Sequence, residues 1–225
     1  MADLTLAGDP PIVVALRRNG RARRLTLRVS GLDGRVTLTV PPRVPVAEAH
    51  DFARSREDWL RGRLGAVAGP CQVAGGTVLP VEGAATRLVL SPSTRLTHTG
   101  GEISAASPEA VLAYLRHLAR DRLTAAVDRH ASALGRRATA IALRDPRSRW
   151  GSCSSAGRLM FSWRLVLAPP AVLDYVAAHE VAHLAHMDHS RRFWDVVARL
   201  CPGHAGERAW LRREGAALHR WRFGH

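Results

Sequence analysis

The stretch that decides how this chain is interpreted is Tyr175-Val-Ala-Ala-His179-Glu180-Val-Ala-His183-Leu-Ala-His186-Met-Asp-His189-Ser190. It contains the pattern His-Glu-x-x-His. On a helix, His179 and His183 are one turn apart, so both imidazoles project from the same face, at the spacing that one zinc ion needs for two nitrogen ligands. Glu180 follows about 100° around the helix, close to the metal without binding it. That placement suits a general base that acts on a metal-activated water.

His189 is the predicted third ligand of the zinc ion. A straight helix would carry residue 189 away from the metal, so the chain must turn after His183, and His186-Met187-Asp188 is the predicted exit. Ser190 can then cap a new helix. Three protein ligands and one open position are typical of a catalytic zinc, one per chain. The alternative, a buried helix with three hydrogen-bonded histidines, is disfavoured because burying so many imidazoles without a metal is costly.

Composition limits the class of protein. The chain has 225 residues, 46% of them hydrophobic, which is enough for one large domain or two small ones. It contains no apolar run long enough to span a membrane, and its N-terminus does not have the pattern of a secretory signal. The three cysteines, Cys71, Cys153 and Cys201, are far apart, which argues against a disulfide framework. We therefore expect a cytoplasmic protein without a membrane partner.

The chain is strongly basic, with a formal charge of +14 and arginine at every basic position other than histidine. Such a charge can indicate weak binding to nucleic acid or another polyanion. The interpretation we favour is a compositional bias toward arginine, because the arginines are spread along the whole chain. The densest group, between residues 17 and 24, surrounds Asn19-Gly20 and is either a solvated hairpin tip or a patch that contacts phosphates.

The first 106 residues are predicted to form a β-rich region with one helix. Strands are expected at residues 12–16, 25–29 and 36–40, with a hairpin turn at Asn19-Gly20 and a second turn at Asp33-Gly34. The hydrophobic pattern of residues 45–64 indicates an amphipathic helix. Further strands are expected at residues 77–81, 86–90 and 94–98.

Residues 107–225 are predicted to form the catalytic region, either as a separate domain or continuous with the first. Ser107-Pro108-Glu109 is a strong helix start, and that helix should end at Gly135. Strands at 138–143 and 159–167 flank a polar, glycine-bearing stretch. Pro169-Pro170 then opens the metal-binding helix, and two closing helices are expected at 190–200 and 207–221.

Several stretches in this region together resemble one known family. They are Arg149-Trp-Gly-Ser-Cys153-Ser, Trp163-Arg-Leu, Ala168-Pro-Pro, Asp174-Tyr-Val, His-Glu-Val-Ala-His-Leu, His189-Ser and Phe193-Trp194, followed by Cys201-Pro, Trp210-Leu-Arg and Gly215. In this order they resemble the YgjP-like metallopeptidases, relatives of the SprT-type zinc proteases. The resemblance covers nearly the whole chain. It implies zinc bound by His179, His183 and His189, Glu180 as catalytic acid/base, and an α+β zincin-like fold with a small sheet, a backing helix and an active-site helix.

The sequence departs from related patterns at two positions. The ligand spacing equals that of the metzincins, but His186 replaces their glycine, and no separate glutamate ligand is evident. Ser162 stands where many relatives have asparagine. The candidates for contacting the substrate or the transition-state oxyanion are Arg149, Tyr175 and His186. Because most zincins bind a peptide along an edge strand, residues 159–163 are the predicted edge, and Asp174 and Asp195 are candidates to orient ligand imidazoles.

Four functions compete at this point. A zinc-dependent peptidase acting on protein or peptide is the first. A nucleotide hydrolase, of the UTP pyrophosphatase type assigned to some relatives, is the second, with the arginines of residues 144–149 holding phosphates. A nucleic-acid-associated SprT-like protease is the third. A metal-binding module without catalysis is the fourth, and the intact Glu180 argues against it.

Overall fold

The computed structural model describes residues 3–65, 67, 69–92 and 95–224. The chain divides into two compact units, Met1–Pro70 and Cys71–His225. The sequence division at residue 106 differs from this boundary. Residues 71–106 lie in the second unit because their buried side chains, such as Leu88 and Ile103, share a core with Val111 and Leu115 of the long helix that follows.

The first unit is a four-stranded sheet followed by two helices. The strand order is β1-β2-β4-β3, in which β2 and β4 are parallel and the other pairs are antiparallel. The unit's core consists of the inward side chains of the strands together with Ala49, Ala53 and Leu60 of the helices. The elements are β1 Asp3–Leu6, β2 Ile12–Arg18, β3 Thr26–Val29, β4 Val36–Val40, α1 Val46–Arg54 and α2 Glu57–Gly65.

Two predictions for this unit are wrong, and one of its strands was missed. The strand β1 was not predicted. The hairpin at Asn19-Gly20 was wrong, because β2 pairs with β4 rather than with β3, and the true hairpin is β3–β4 around Asp33-Gly34. The single helix at 45–64 is two helices. The Ser55 hydroxyl donates to the carbonyl of Phe52 at 2.9 Å, and such local hydrogen bonds compete with continuation of a helix.

The second unit begins with a small sheet of order β6-β7-β9-β8. Strands predicted at 77–81 and 86–90 are confirmed. Residues 93 and 94 lie outside the described residues, so the start of the predicted strand at 94–98 does too, and the strand found there begins at Thr97. A short parallel pair of β5 and β13 joins residues near 71 to the C-terminal segment. The bounds are β5 Cys71–Gln72, β6 Val78–Val81, β7 Ala84–Leu90, β8 Thr97–Thr99, β9 Glu102–Ala105 and β13 Trp221–Arg222.

Helix α3, Pro108–Leu134, backs both halves of the second unit. Its start is confirmed: the Ser107 hydroxyl accepts a hydrogen bond from the backbone N–H of Ala110 at 3.3 Å, and proline occupies the first turn. Its end is confirmed as well, because Gly135 adopts a left-handed conformation with φ 65°. The buried face of α3 faces one core through Leu115 and a second through Leu123.

The third sheet has the order β10-β12-β11, with β12 parallel to β10 and antiparallel to β11. The prediction of 159–163 as an edge strand is therefore wrong, because β12 is paired on both sides and β11 is an edge. The predicted strand at 159–167 ends at Ser162, after which the chain forms a 3₁₀ helix, Trp163–Leu167. The strands are β10 Ala140–Arg144, β11 Gly151–Cys153 and β12 Arg158–Ser162.

Three helices complete the second unit: α4 Pro170–Ala182, α5 Arg191–Leu200 and α6 His204–Glu214. The start of α4 at Pro170 and the bounds of α5 agree with the predictions. The last predicted helix, 207–221, is shorter, because a 3₁₀ helix, Gly215–His219, and β13 follow α6. Small sheets and six α-helices among the described residues make the protein α+β. Within the described part of the chain, no helix is both long and apolar enough to cross a membrane.

Candidate metal and catalytic site

Helix α4 carries the first two candidate ligands. Its residues are almost all apolar and buried. Pro169 and Pro170 start the helix, and proline suits this position because the first residues of a helix need no N–H for an intrahelical hydrogen bond. His179 and His183 are one turn apart near its end, and their ring centroids are 5.1 Å apart. The helix therefore presents two imidazoles side by side from the core of the second unit.

A tight exit from α4 returns the third histidine to the first two. His183 Nδ1 lies 3.0 Å from the carbonyl oxygen of His186, and because a carbonyl only accepts, this nitrogen must be the protonated one. The hydrogen bond leaves Nε2 of His183 with a free lone pair. Beyond the turn, His189 Nε2 lies 3.3 Å from His179 Nε2. The ring of Phe193 on α5 stacks on His183 at 4.4 Å between centroids.

These three histidines fit a zinc ion. One ligand atom from each of His179, His183 and His189 lies within 4.8 Å of the other two. Two nitrogens bound tetrahedrally to zinc at about 2.0–2.1 Å are separated by about 3.3 Å, which is the separation of the two Nε2 atoms. Burial, followed by the neighbouring His183 and His189, lowers the pKa of His179 to about 4. The ring is therefore neutral at neutral pH, the state that binds metal.

Glu180 lies beside the histidines and against the edge strand β11. Its side chain is buried, at 5% exposure, and within the described residues it accepts no hydrogen bond. Burial raises the pKa of Glu180 to about 7, and the positive charge of Arg149 opposes that rise. A Cβ built on Gly151 would lie 2.6 Å from Glu180 Oε1, so only glycine leaves room for the carboxylate in this position.

The three candidate substrate contacts lie in different environments. Arg149 is exposed and acts on Glu180 through its charge. Tyr175 is buried in the core, where burial raises the pKa of its hydroxyl, and its ring meets that of His179 edge-on at 6.0 Å. His186 is half-buried and contributes its carbonyl oxygen to the turn.

Two secondary expectations are changed by the structure. Asp174 accepts hydrogen bonds from Arg129 and His130 of α3, at 2.8 and 3.0 Å, so it links two helices rather than orienting a ligand imidazole. The position of Ser190 before α5 is correct, but its side chain makes no capping hydrogen bond. Instead, its backbone N–H donates to the carboxylate of Asp188 at 3.1 Å.

Sequence reasoning missed two features of the site: the space that Gly151 leaves for Glu180, and the packing of the Trp194 indole against the histidines. Trp194 lies 5.7 Å from His179, and Arg208 of α6 covers the ring of Trp194 at 4.6 Å. The sequence feature that could have indicated Gly151 is its place within Arg149-Trp-Gly-Ser-Cys153, part of the polar, glycine-bearing stretch between two predicted strands. Burial, reinforced by the charge of Glu180, raises the pKa of Cys153, so its thiol stays protonated and is a poor nucleophile.

Comparison with known proteins gives one clear result. No curated protein matches the chain, and no solved structure does. The model of the YgjP-like family, described as a metallopeptidase domain, matches residues 23–214. This range includes β11, the whole of α4, the turn after it and α5. A match over most of the chain shows that the protein belongs to the YgjP-like family of metallopeptidase domains.

Proposed function

We propose that the protein is a zinc-dependent peptidase with a zincin-like fold, in which His179, His183 and His189 bind one zinc ion per chain and Glu180 is the general base. The observation that carries this proposal is the 3.3 Å separation between Nε2 of His179 and Nε2 of His189, beside a buried glutamate. Membership in a metallopeptidase family agrees with it.

The proposed chemistry divides between the metal and the chain. Zinc with three nitrogen ligands and an open position activates a water molecule and polarises a carbonyl. Glu180 accepts the proton of the attacking water and passes it to the leaving amine. Burial of Glu180 raises the pKa of its carboxyl in the metal-free chain, which favours uptake of a proton from the water.

The polypeptide substrate is proposed to pair with β11. This strand is an edge of the third sheet, and alternate residues of an edge strand direct backbone N–H and C=O groups away from the sheet. Gly151 of β11 adjoins Glu180, so a chain bound along this edge would lie near the base. Among the candidate oxyanion donors Arg149, Tyr175 and His186, we favour Arg149, since it is exposed and precedes the strand.

The alternatives use the basic residues differently. Arg144, which the nucleotide-hydrolase hypothesis needs, lines a cavity of about 410 Å³ together with Arg116 and Arg120, whereas Arg149 acts on Glu180. Arg144 and Arg149 therefore lie at two different sites, the cavity and the surroundings of Glu180. This separation argues against a single phosphate-binding loop at residues 144–149. The SprT-like alternative differs from our proposal only in requiring nucleic acid as a docking partner.

The first experiment measures metal content by mass spectrometry. About one zinc per wild-type chain is expected, with a strong loss in His189→Ala. His117→Ala is the matched control, because His117 is exposed on α3 and pairs with Asp121 at 3.3 Å. No zinc in the reconstituted wild type would reject the metal site.

The second experiment screens the zinc-loaded protein against a peptide library and against nucleoside triphosphates. Cleavage of peptides that is lost in Glu180→Gln supports the proposal. Hydrolysis of triphosphates alone, with the same dependence on Glu180, would replace it with the nucleotide hypothesis. Peptide cleavage that requires added DNA would favour the nucleic-acid-associated protease.

A further inference from the structure

The first unit has a groove along the edge of its sheet that the proposed catalytic site does not use. We call it the β3 groove. It has a volume of about 320 Å³, and its lining includes Leu25, Leu27, Phe52, Trp59, Arg24 and Arg56. Leu25 immediately precedes β3, and Leu27 lies in it. Phe52 belongs to α1 and Trp59 to α2. The groove is therefore built by a strand on one side and helices on the other.

An edge of the sheet borders this groove. In the order β1-β2-β4-β3, the strand β3 pairs only with β4 within the described residues. Half of the backbone groups of such a strand point outward and can pair with an added strand. The first unit therefore offers backbone donors and acceptors directly beside an apolar surface.

The apolar surface of the groove is accessible. Trp59 is 43% exposed, although an indole is among the side chains that gain most from burial. Phe52 and Leu27 are half-buried on the same groove. Exposed aromatic residues that line a concave surface are typical of binding sites, where they contribute most of the affinity.

The charge around the groove is positive. Arg24 and Arg56 line it, and no carboxylate is among its described lining residues. The guanidinium of Arg56 lies 5.9 Å from the centre of the Phe52 ring, and that of Arg63 lies 5.9 Å from the centre of the Trp59 ring. None of these three arginines forms an ion pair within the described part of the chain. The groove therefore complements a ligand with apolar and acidic groups.

We propose that the β3 groove binds an extended, acidic segment of a polypeptide, which adds a strand to the edge of the sheet. Its backbone pairs with β3, its apolar side chains pack on Phe52 and Trp59, and its carboxylates face Arg24 and Arg56. This site binds without catalysis, and its existence does not depend on the proposed peptidase activity.

A polypeptide fits the groove better than a nucleic acid does. Single-stranded nucleic acid would also stack on Trp59 and pair with the arginines. It has no backbone amide and carbonyl groups in strand register, so the open edge of β3 would stay unpaired. The edge and the aromatic groove together are the combination that strand addition uses.

The test is fluorescence anisotropy with the full-length protein and a labelled octapeptide in which valine and glutamate alternate. Three probes serve as comparisons: the same peptide with lysine in place of glutamate, a version N-methylated at alternate residues, and oligothymidylate. We expect binding of the glutamate peptide, with weaker binding of the lysine peptide and of the N-methylated one, which keeps its side chains but loses the backbone donors.

Variants assign the binding to the groove. Trp59→Ala should weaken it about thirtyfold, as expected for an aromatic anchor, and Arg56→Glu about tenfold. Arg54→Glu is the matched control, because Arg54 is exposed at the end of α1, two residues before Arg56, and does not line the groove. Circular dichroism of each variant establishes that the first unit remains folded. Glu180→Gln should bind the peptide as the wild type does, which separates this site from the catalytic one.

Several outcomes would overturn the proposal. One is equal binding of the glutamate and lysine peptides. Others are equal binding by folded Trp59→Ala and the wild type, or undiminished binding of the N-methylated peptide. Binding of oligothymidylate instead of the peptide, with the same sensitivity to Trp59→Ala and Arg56→Glu, would reassign the groove to nucleic acid.

Discussion

Two polar groupings of the second unit, each built around a buried ionisable side chain, differ in how completely the protein itself supplies their hydrogen-bond partners. The histidine–glutamate cluster consists of His179, Glu180, His183 and His189. Two Nε2 atoms face each other there, Nδ1 of His179 is buried without a partner, and Glu180 accepts no hydrogen bond from the described residues. Within the described residues, Nδ1 of His179 and the carboxylate of Glu180 therefore lack a protein partner, and the two facing Nε2 atoms can pair with each other.

The Arg164 clamp is the other grouping, formed by Arg164, Asp145 and the carbonyl groups of Leu218 and Trp221. Arg164 is 5% exposed, and its guanidinium donates twice to Asp145, at 2.7 and 3.0 Å, and once to each carbonyl, at 3.0 and 3.2 Å. Burial by itself would raise the pKa of Asp145, but the hydrogen bonds and charge of Arg164 outweigh it and hold the pKa below its usual range.

The difference separates the proposed metal site, which has unpaired polar atoms, from a grouping whose hydrogen-bond partners the protein itself supplies. Both groupings bury ionisable residues, so burial does not distinguish them. In the clamp, protein atoms supply the partners, and the result ties the C-terminal segment to the third sheet. In the histidine–glutamate cluster, the two facing Nε2 atoms and the carboxylate of Glu180 are the groups that the proposed metal ion and water would use. Removing a residue should therefore affect function in one grouping and stability in the other.

The largest expected effect is on catalysis, from Glu180→Gln. Removing a general base should lower kcat about 10²- to 10⁴-fold. Zinc content should stay near one per chain, because Glu180 is not a proposed ligand. The melting temperature should not fall, since the amide removes a carboxylate that burial destabilises when it is ionised. Steady-state kinetics, metal analysis and calorimetry on one preparation give the three readings.

A lower melting temperature with full activity in Glu180→Gln would place Glu180 among the structural residues and reverse the comparison.

The largest expected effect on stability comes from Arg164→Ala. It leaves two carbonyl groups and Asp145 without their donor. Hydrogen bonds to a charged group contribute about 1.5–3 kcal/mol each. Asp145 keeps access to water because its side chain is 38% exposed, so we expect a total loss of about 3–4 kcal/mol. Arg129→Ala is the matched control, because Arg129 also pairs with an aspartate, Asp174, at 2.8 Å but is 62% exposed. Its loss should cost less than about 1 kcal/mol. Urea unfolding of the metal-free proteins measures both values.

Equal destabilisation by Arg164→Ala and Arg129→Ala would show that the clamp contributes no more than a surface ion pair.

The sequence predicted the parts of the site that depend on local spacing. The placement of His179 and His183 follows from helical periodicity, and the turn that returns His189 follows from the requirement that three ligands meet. The start and end of α3 follow from Ser107, Pro108 and Gly135, whose effects act within one turn. In each case, the physical cause lies within a few residues of its consequence.

What the sequence could not predict depends on pairing between distant segments. Whether β11 or β12 is an edge strand is decided by β10, and the stretch Gly151–Cys153 alone is too short and polar to indicate a strand. Arg164 looks like any other arginine among many until the fold brings Asp145 and the C-terminal carbonyls to it. The hairpin at Asn19-Gly20 failed for the same reason, because the strand β4 takes the place beside β2.

Acid should weaken the region around the clamp through His219. Its ring packs against Trp150 at 4.9 Å, and burial, followed by the charge of Arg164, lowers its pKa to about 4. Between pH 6.5 and pH 4 the unfolded chain binds a proton that the folded chain excludes. Stability therefore falls as the pH falls through this window, by about 3 kcal/mol in total from this group.

The variant His219→Gln should lose that part of the pH dependence. Urea unfolding in the presence of a chelator, at several values from pH 4 to pH 7.5, compares its slope with that of the wild type. His179 titrates in the same window but contributes to both proteins, so the difference isolates His219. The exposed His117→Gln is measured beside it as the control for loss of a surface histidine. Identical slopes for His219→Gln and the wild type would rule out a buried neutral His219.

The smallest expected effect is from Gly151→Ala. This substitution sharpens the comparison because it displaces the Glu180 carboxylate without changing its chemical nature. The new methyl group would overlap the Glu180 carboxylate, whose Oε1 lies 2.6 Å from the Cβ position. The carboxylate must move by about 1 Å, and a misplacement of this size can cost about a hundredfold in kcat. Zinc content and melting temperature should change little, because neither the ligands nor the clamp are touched.

Gly206→Ala on α6 is the matched control for Gly151→Ala, because a Cβ at Gly206 meets no atom within 4 Å. It should leave kcat unchanged. If Gly151→Ala keeps full activity, Glu180 reaches its working position without the space that the edge strand leaves for it. If instead Gly151→Ala loses its zinc, the strand supports the ligands rather than the base. A selective loss of kcat would show that β11 limits where the proposed base can lie, a constraint that helical spacing alone does not predict.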